Sequence, residues 1–386
     1  MTQVILDDLD DAEFRARWRD YLAANYPAEW RQDARRPFLR IHGDNAAWWF
    51  RKLNADGWRA PGWPREIGGM GLSFAKQLIY REELEAAHVA RFLDHGESLL
   101  GPVLLQYGTH EQRDRLLPRL LAWQDVWCQG YSEPGSGSDL ASLRTEAVLD
   151  GDAFVINGQK TWTTHASEST HIFMLVRTAK GPRKQAGISF LLAPMDLPGI
   201  TIRPIVNIAG EDEFCEVFFD DVRVPKGNLV GEIDQGWTVA KALLGHERIF
   251  LGSPALAANA LDMAEKIADA LGLGDDAVVQ DGLAGLGIEL FALRALYAQT
   301  CDAIAAGGHP GPEVSILKIG ASELTQRISE YATMIAAEYG GVVGDVAIGT
   351  MVADLHWQMM LSRPMTVYGG SSEIQRNIVA KTVLKL

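Results

Sequence analysis

The sequence changes character twice along its length, and this change constrains the fold more than any single motif. Residues from about 10 to 125 have the apolar spacing of amphipathic helices, and Phe14, Trp18 and Leu22 share one helical face. From Gln235 to near the C-terminus the helical period returns. Between these parts lie short runs rich in β-branched and aromatic residues: Phe154–Ile156, Ile172–Val176, Ile188–Leu192, Ile200–Ile202 and Val217–Phe219. The order helices, strands, helices predicts an α+β protein.

The β runs are separated by turn residues: Asp150–Asp152, Asn157–Gly158 and Pro198–Gly199. Short strands that alternate with such turns are typical of an antiparallel sheet or barrel. We therefore predict an N-terminal helical domain at residues 1–125, a central β domain at residues 126–233 and a C-terminal helical domain at residues 234–386.

The charge balance limits the classes of partner. The 386 residues include 36 Lys or Arg and 50 Asp or Glu, which gives a net charge of −14. Nucleic-acid binding rewards basic surfaces, so an acidic chain is a poor candidate for a general nucleic-acid binder. We predict no nucleic-acid partner, although one local basic spot could still bind an anionic ligand.

The cysteines and the N-terminus indicate a soluble protein of a reducing compartment. Cys128, Cys215 and Cys301 are too few and too scattered for a disulfide scaffold or a metal site. Residues 1–13 lack the basic and apolar regions of a signal peptide, and no apolar run approaches the ~20 residues of a membrane span. We expect a cytoplasmic protein with no membrane partner and no metal.

The stretch Gln129–Thr164 carries the strongest chemical signal. A loop rich in Gly and Ser is followed by Trp162-Thr-Thr164, and glycine lets a backbone approach a ligand closely. Ser132 and Thr164 could bond the heteroatoms of a flat ring such as a flavin, and Trp162 offers an aromatic wall. The alternative is a Gly-rich turn and a strand with a buried tryptophan.

Three motifs together resemble the acyl-CoA dehydrogenase family over essentially the whole chain. They are Tyr131-Ser-Glu-Pro-Gly-Ser-Gly-Ser-Asp139, Lys160-Thr-Trp-Thr-Thr164 and Val367-Tyr-Gly-Gly-Ser-Ser-Glu-Ile-Gln-Arg-Asn377. The resemblance implies the family's fold, with a C-terminal four-helix bundle. It also implies an FAD cofactor, an acyl-CoA substrate and an electron-transfer flavoprotein as electron acceptor.

The resemblance assigns roles to individual residues. Ser132 would contact the pyrimidine side of the flavin, Trp162 would pack beside the ring and Thr164 would bond near its N5 edge. The full set of implied cofactor-binding residues is Gln129, Tyr131, Ser132, Gly137, Ser138, Trp162, Thr164, Ser371 and Glu373. Ser138 and Arg248 are implied to contact the acyl-CoA.

The general base is the point where the chain departs from many family members. Their third motif carries a catalytic Glu where this chain has Gly369. A helix that starts near Trp237 would place Glu247 on the apolar face with Ala240 and Leu243. From the pattern alone, Glu247 is either salt-bridged in the helical core or on solvent, or poised in a ligand cavity that raises its pKa.

The resemblance favours Glu247 as the base. A subset of the family, including isovaleryl-CoA and long-chain dehydrogenases, carries its base at this position and lacks the C-terminal Glu. The backbone N–H of Gly369 would still point at the thioester oxygen, which gains negative charge during the reaction.

Two features that grip the distal half of FAD in homotetrameric members are missing. The Arg-x-x-Phe-Gly motif is absent from Ile267–Asp276, which has no basic residue, and Ala337 replaces the Gln of Gln-x-x-Gly-Gly. The resemblance therefore implies a paralogous partner in an α2β2 heterotetramer, similar to the acyl-CoA dehydrogenases of bacterial steroid side-chain degradation; a homotetramer is the alternative. It also favours bulky, branched or polycyclic acyl groups.

Two other functions fit the same fold. One is an oxidase or monooxygenase that passes electrons to oxygen, and the other is a non-catalytic structural subunit of a heteromeric dehydrogenase. The retention of Ser132, Trp162, Thr164 and Glu247 argues against the structural subunit.

Overall fold

The fold comes from a computed structural model that describes residues 5–33, 36–90, 94–308 and 311–386. The side chains of residues 244–248 and 250 lie outside this description. The chain divides into two compact units. One comprises residues 1–42, 71–92 and 248–386, and the other comprises residues 43–70 and 93–247.

Helices occupy both ends of the chain, as the sequence predicts. They are α1 (Asp11–Asn25), α2 (Gly43–Ala55), α3 (Phe74–Ala86), α4 (Gly101–Tyr107), α5 (His110–Leu121), α6 (Gly236–Leu251), α7 (Ala255–Ala270), α8 (Ala277–Ala305), α9 (Val314–Ile335), α10 (Leu355–Ser362) and α11 (Ser372–Thr382).

Strands are concentrated in the middle of the chain. They are β1 (Trp127–Gly130), β2 (Glu146–Asp150), β3 (Ala153–Thr164), β4 (His171–Arg177), β5 (Ile188–Pro194), β6 (Ile200–Ile205), β7 (Phe214–Pro225), β8 (Leu229–Val230), β9 (Val346–Ile348) and β10 (Met351–Ala353). All five predicted β runs lie inside strands β3 to β7, so this part of the prediction is confirmed.

The N-terminal helices follow their sequence signals. The side chain of Asp10 accepts a hydrogen bond from the Glu13 amide at the start of α1, which satisfies one free N–H of the first turn. The predicted apolar face of α1 is buried: Phe14, Trp18 and Leu22 have no exposed area. The Trp18 ring stacks on a tyrosine of α3 at 4.4 Å, so this face joins the two helices.

Strands β1 to β8 form one mostly antiparallel sheet in the order β6-β7-β3-β2-β4-β5-β8, and β1 pairs in parallel with β4. Both faces of its centre are buried. In β4, Ile172 and Met174 belong to one apolar cluster, whereas Phe173 and Leu175 belong to a second cluster that also contains residues of α4 and α5. Alternate side chains point to opposite faces, which explains why β4 reads as a continuous apolar run.

The C-terminal helices pack around α9, which contacts α7, α8, α10 and α11. One element escaped the sequence analysis, which predicted helix almost to the end of the chain. Strands β9 and β10 form an antiparallel hairpin in this region, with Gly349 in the left-handed conformation at its turn.

The two compact units do not follow chain order. Helices α1 and α3 belong to the unit of the C-terminal helices, whereas α2, α4 and α5 belong to the unit of the sheet. The domain boundaries near residues 125 and 233 therefore stay a prediction. Within the described residues, no helix is both long and apolar enough to span a bilayer.

Candidate active site

The loop that follows β1 is fixed by a buried ion pair. The Glu133 carboxylate accepts hydrogen bonds from the backbone N–H groups of Arg144 (2.6 Å) and Thr145 (2.9 Å) and from Lys160 Nζ (2.8 Å). Lys160 has no exposed area, and its Nζ also donates to the carbonyl of Tyr131 at 3.2 Å. These bonds join the loop to the C-terminal half of β3, which contains Lys160.

Burial and pairing act in opposite directions on the two charged groups. Burial lowers the pKa of Lys160 to about 8, although the neighbouring Glu133 carboxylate opposes this effect. Burial alone would raise the pKa of Glu133, but the Lys160 ammonium and the bonds that its carboxylate accepts bring that pKa below its usual value. The pair therefore remains ionised at neutral pH.

Ser132 lies at the start of this loop and keeps two hydrogen-bonding groups available. Its carbonyl accepts a hydrogen bond from the Thr161 amide at 2.9 Å. In the described parts of the chain, neither the amide N–H nor the hydroxyl of Ser132 has a hydrogen-bond partner. Such groups are satisfied by water or by a ligand, and Ser132 is only half-buried.

A β-bulge turns Trp162 out of the sheet. The pairing of β3 with β7 shifts register between Lys160 and Thr163, and Trp162 has a left-handed φ of 57°. Its side chain is 58% exposed, and its ring lies nearly perpendicular to that of Phe214, with 6.1 Å between the ring centroids. A buried tryptophan, the alternative left open by the sequence, is therefore wrong. An exposed aromatic ring in strained backbone is a common feature of ligand sites.

The remaining predicted residues of this unit lie in this loop or in the strands β1 and β3. Thr164 is half-buried at the end of β3, and the buried Thr163 hydroxyl has no partner among the described residues. Gly137 and Ser138 are exposed, and no protein atom lies within 4 Å of the point where a Cβ of Gly137 would be. Gln129 is half-buried in β1.

The side chain of Tyr131 is part of the apolar core. The ring packs edge-on against Phe173 at 6.1 Å and against Phe190 at 6.5 Å, between centroids. Its backbone carbonyl, in contrast, belongs to the Lys160 network. Any contact of Tyr131 with a cofactor stays a prediction.

In the other unit, the third motif forms a sharp turn before α11. Gly369 and Gly370 both have left-handed φ values, 63° and 85°. The fully buried Gln375 donates from Nε2 to the Gly369 carbonyl at 2.7 Å, and the Ser371 hydroxyl accepts from the Ile374 amide as the N-cap of α11. The turn is therefore held from both sides.

A larger side chain at position 369 would require the half-buried Leu251 side chain to move. A Cβ at this position would lie 2.3 Å from Leu251 Cδ1, well inside van der Waals contact. Glu373 is exposed on the first turn of α11, where a hydrogen bond from Ser371 lowers the pKa of its carboxyl. The turn thus offers a backbone N–H and hydroxyl groups, but no buried carboxylate at position 369.

Two predicted residues lie outside the described side chains: Glu247 and Arg248. The helix that carries them is confirmed, since α6 begins at Gly236. Its described residues Ala240 and Leu243 are both 1% exposed, as the predicted apolar face requires. The roles of Glu247 and Arg248 stay predictions.

Three family models match the chain, and together they cover most of its length. Models of the N-terminal, middle and C-terminal domains of acyl-CoA dehydrogenases match residues 9–124, 128–222 and 234–384. The chain belongs to the acyl-CoA dehydrogenase family. The family is FAD-binding in general, and membership makes this chain an acyl-CoA dehydrogenase by class.

Individual relatives share its full length. Acyl-CoA dehydrogenase IpdE1 of Mycobacterium tuberculosis is 40% identical over 98% of each chain. Among solved structures, the Tcur3481-Tcur3483 steroid acyl-CoA dehydrogenase matches with a TM-score of 0.86 and 31% identity over 99% of each chain. The ChsE4-ChsE5 complex from Mycobacterium tuberculosis matches with a TM-score of 0.84 and 31% identity over 97% of each chain.

The predicted segregation of helices and strands and the family resemblance are confirmed by these findings. Sequence reasoning missed the part played by Glu133 and Lys160, although both lie in the quoted motifs. The available signal was a charged residue inside a β-rich motif, and this signal alone does not show whether the residue is buried in a pair or faces water.

Proposed function

We propose that this chain is the catalytic subunit of an FAD-dependent acyl-CoA dehydrogenase, which converts a bulky acyl-CoA to the trans-2-enoyl-CoA. The observation that carries the proposal is the loop around Ser132. Its unpartnered amide and hydroxyl lie next to Thr161, which precedes the exposed Trp162. A flat heterocycle would form hydrogen bonds with these polar groups and pack against the exposed aromatic ring.

The residues present fit a flavin ring. Ser132 would bond its pyrimidine side, Trp162 would cover the ring and Thr164 would lie at the N5 edge. When bound, FAD supplies the acceptor for the two electrons and the hydrogen that leave Cβ of the substrate. The chain itself must hold the ring, orient the thioester and move one proton.

We assign the proton to Glu247 and the thioester oxygen to the Gly369 turn. Glu247 would take the proton from Cα, and the Gly369 N–H would stabilise the negative charge that develops on the carbonyl oxygen. The left-handed Gly369 and the hydrogen bond from Gln375 support a preorganised donor at this turn. Gly369 has no side chain that could accept a proton, which supports a base that comes from elsewhere.

A partner subunit would complete the FAD site. The segment 267–276 has no basic residue, and the exposed Ala337 has no side-chain donor for the cofactor. A cation opposite a pyrophosphate contributes strongly to binding, so its source must be another chain. The names of the steroid dehydrogenase and of the ChsE4-ChsE5 complex support a heteromeric enzyme and a steroid-derived acyl group. We infer that electrons leave to an electron-transfer flavoprotein.

The base is tested by Glu247→Gln, with the exposed Glu265→Gln as the matched control. The chain is co-expressed with paralogous partners, and turnover of acyl-CoAs of differing size is measured with an artificial electron acceptor. We expect Glu247→Gln to lower kcat about 10²–10⁴-fold, the usual contribution of general acid–base catalysis, and Glu265→Gln to leave it unchanged. Near-normal turnover of Glu247→Gln would remove Glu247 from this role.

The same preparation separates the rival functions. Rapid reoxidation of the reduced protein in air would favour an oxidase or monooxygenase. A protein that does not bleach its flavin with any acyl-CoA, even with its partner present, would be a structural subunit. Stoichiometric FAD and full activity of this chain alone would exclude the partner and leave a homotetramer.

A further inference from the structure

We propose that Lys160 is a positioning residue for the flavin site, whose buried ammonium holds and polarises the Tyr131–Ser132 peptide so that the Ser132 N–H is presented to the pyrimidine side of the cofactor. The inference rests on the proposed FAD binding. It concerns a side chain that would not itself touch the cofactor.

The first support is the way in which Ser132 is clamped. The carbonyl before it, that of Tyr131, accepts from Lys160 Nζ at 3.2 Å. The carbonyl of Ser132 itself accepts from the Thr161 amide at 2.9 Å. Two consecutive residues of β3 thus hold the two carbonyls that flank the Ser132 N–H, while that N–H has no partner in the described parts of the chain.

The second support is electrostatic. The Tyr131 carbonyl and the Ser132 N–H belong to one peptide group, so a cation on the oxygen strengthens the N–H as a donor. Lys160 is fully buried, where a charge acts more strongly than it does in water. Glu133 keeps the ammonium charged, because its carboxylate raises the pKa of Lys160 against the effects of burial and of Arg177.

The charge has a consequence that simple packing would not have. Reduction adds negative charge to the pyrimidine side of a flavin, so a stronger donor there favours the reduced cofactor over the oxidised one. By linkage, the midpoint potential reports the ratio of the two affinities. A residue that only stiffened the loop would change both affinities alike and leave the potential unchanged.

The test is Lys160→Met in the FAD-loaded complex, with Lys184→Met as the matched control. Lys184 pairs with Asp139 at 2.6 Å in the same part of the chain, but its side chain is 63% exposed. We expect Lys160→Met to weaken FAD binding by about tenfold or more, which corresponds to about 1.4 kcal/mol, and to shift the midpoint potential to a more negative value. Lys184→Met should change neither quantity.

A readout without cofactor accompanies these measurements. In the FAD-free protein, the Thr161 amide should exchange its hydrogen faster in Lys160→Met than in the wild type, because only one of the two carbonyls that flank the Ser132 N–H is then still held by a hydrogen bond from β3. Unchanged FAD affinity and potential in a folded Lys160→Met protein would overturn the inference. A lower affinity with an unchanged potential would also overturn it, since the role would then be structural only.

The wild-type protein gives a second test if Lys160→Met does not fold. The protonated form of Lys160 is the one that supports binding, so FAD affinity should be full below pH 8 and fall as pH rises through about 8. The charged groups that act on Lys160 are Glu133 and Arg177, and both keep their charge in this range. A flat affinity between about pH 6 and 9 would contradict the inference. Failure of the wild-type complex to bind FAD at all would instead contradict the proposed function.

Discussion

The family resemblance implies a glutamate in many relatives at the position of Gly369, and two features of the fold disfavour a larger residue here. The backbone is left-handed at φ 63°, and a Cβ would lie 2.3 Å from Leu251 Cδ1. Residues other than glycine are destabilised by about 1–2 kcal/mol in such a conformation. The family resemblance implied that the base lies elsewhere, whereas the backbone strain at position 369 became visible only in the fold.

Replacing Gly369 by alanine should therefore destabilise the protein and reduce activity. We expect a loss of about 1–2 kcal/mol from backbone strain, and a further loss only to the extent that the Leu251 side chain does not move away. The double variant with Leu251→Ala should lack the overpacking but retain the strain, so a double-mutant cycle by urea denaturation separates the two. A fully stable Gly369→Ala protein would contradict the described turn.

The pairing of Glu133 with Lys160 marks the limit of prediction at the residue scale. Both residues were visible in the sequence motifs, but their burial was not, because a charged residue in a β-rich stretch can equally face water. The other partners of Glu133, the amides of Arg144 and Thr145, are set by the loop that follows β1 and cannot be read from spacing.

Strand β3 carries both a core and a candidate ligand surface, and the bulge at Trp162 separates the two. The β-rich run Phe154–Ile156 predicted the strand, but not the register shift that exposes Trp162. The hairpin β9–β10 was missed because its strands have only three residues each, and such short segments also fit a helical pattern. Long periodic segments such as α7 and α8 were predicted well for the opposite reason.

The bulge leads to the prediction that removing the Trp162 ring weakens ligand binding but changes stability little. Trp162→Gly should change the stability of the FAD-free protein by less than about 1 kcal/mol. The side chain is 58% exposed and buries little apolar area, and relief of the left-handed strain offsets the stabilisation that this area provides. FAD affinity should fall by about tenfold. Trp162→Phe, which keeps a ring, should bind with intermediate affinity. Large destabilisation with normal FAD binding would mean that Trp162 is structural.

Helices α1 and α3 are joined by an ion-pair cluster that should make this part of the protein sensitive to acid. The buried Glu83 accepts from Arg15 Nη1 at 3.0 Å and from Arg19 Nε at 2.9 Å. Burial alone would raise the pKa of Glu83, but the two guanidiniums bring it below its usual value. Since the folded-state pKa is the lower one, this stabilisation is complete at neutral pH and is lost as pH falls through that value.

Glu83→Gln should cost about 1–3 kcal/mol at pH 7, which is less than for a fully buried pair because Arg15 and Arg19 are 36% and 65% exposed. The variant should also lose less stability than the wild type between about pH 5 and 3. Urea denaturation at several pH values measures both effects. The exposed Glu82→Gln is the control and should cost less than about 1 kcal/mol. Equal effects of the two variants would contradict this account.

At the scale of the whole molecule, the order of helices and strands was predictable from apolar spacing and β-rich runs, and the family from three motifs that occur in order between residues 131 and 377. The units of packing were not, since helices close in sequence join different units. The partner subunit is inferred from groups that this chain lacks, such as a cation within residues 267–276. The residues that replace these groups would belong to another chain, so this sequence does not identify them.

The most direct test of the central claim is anaerobic bleaching of the flavin by substrate. The chain is purified with its partner and FAD, and the visible flavin absorbance is followed after addition of a steroid-derived acyl-CoA. The account predicts that the wild-type complex bleaches at once and that Glu247→Gln binds the same FAD and acyl-CoA but bleaches about 10²–10⁴-fold more slowly. Bleaching of Glu247→Gln at the wild-type rate, or an absence of bound FAD in every complex of this chain, would contradict it.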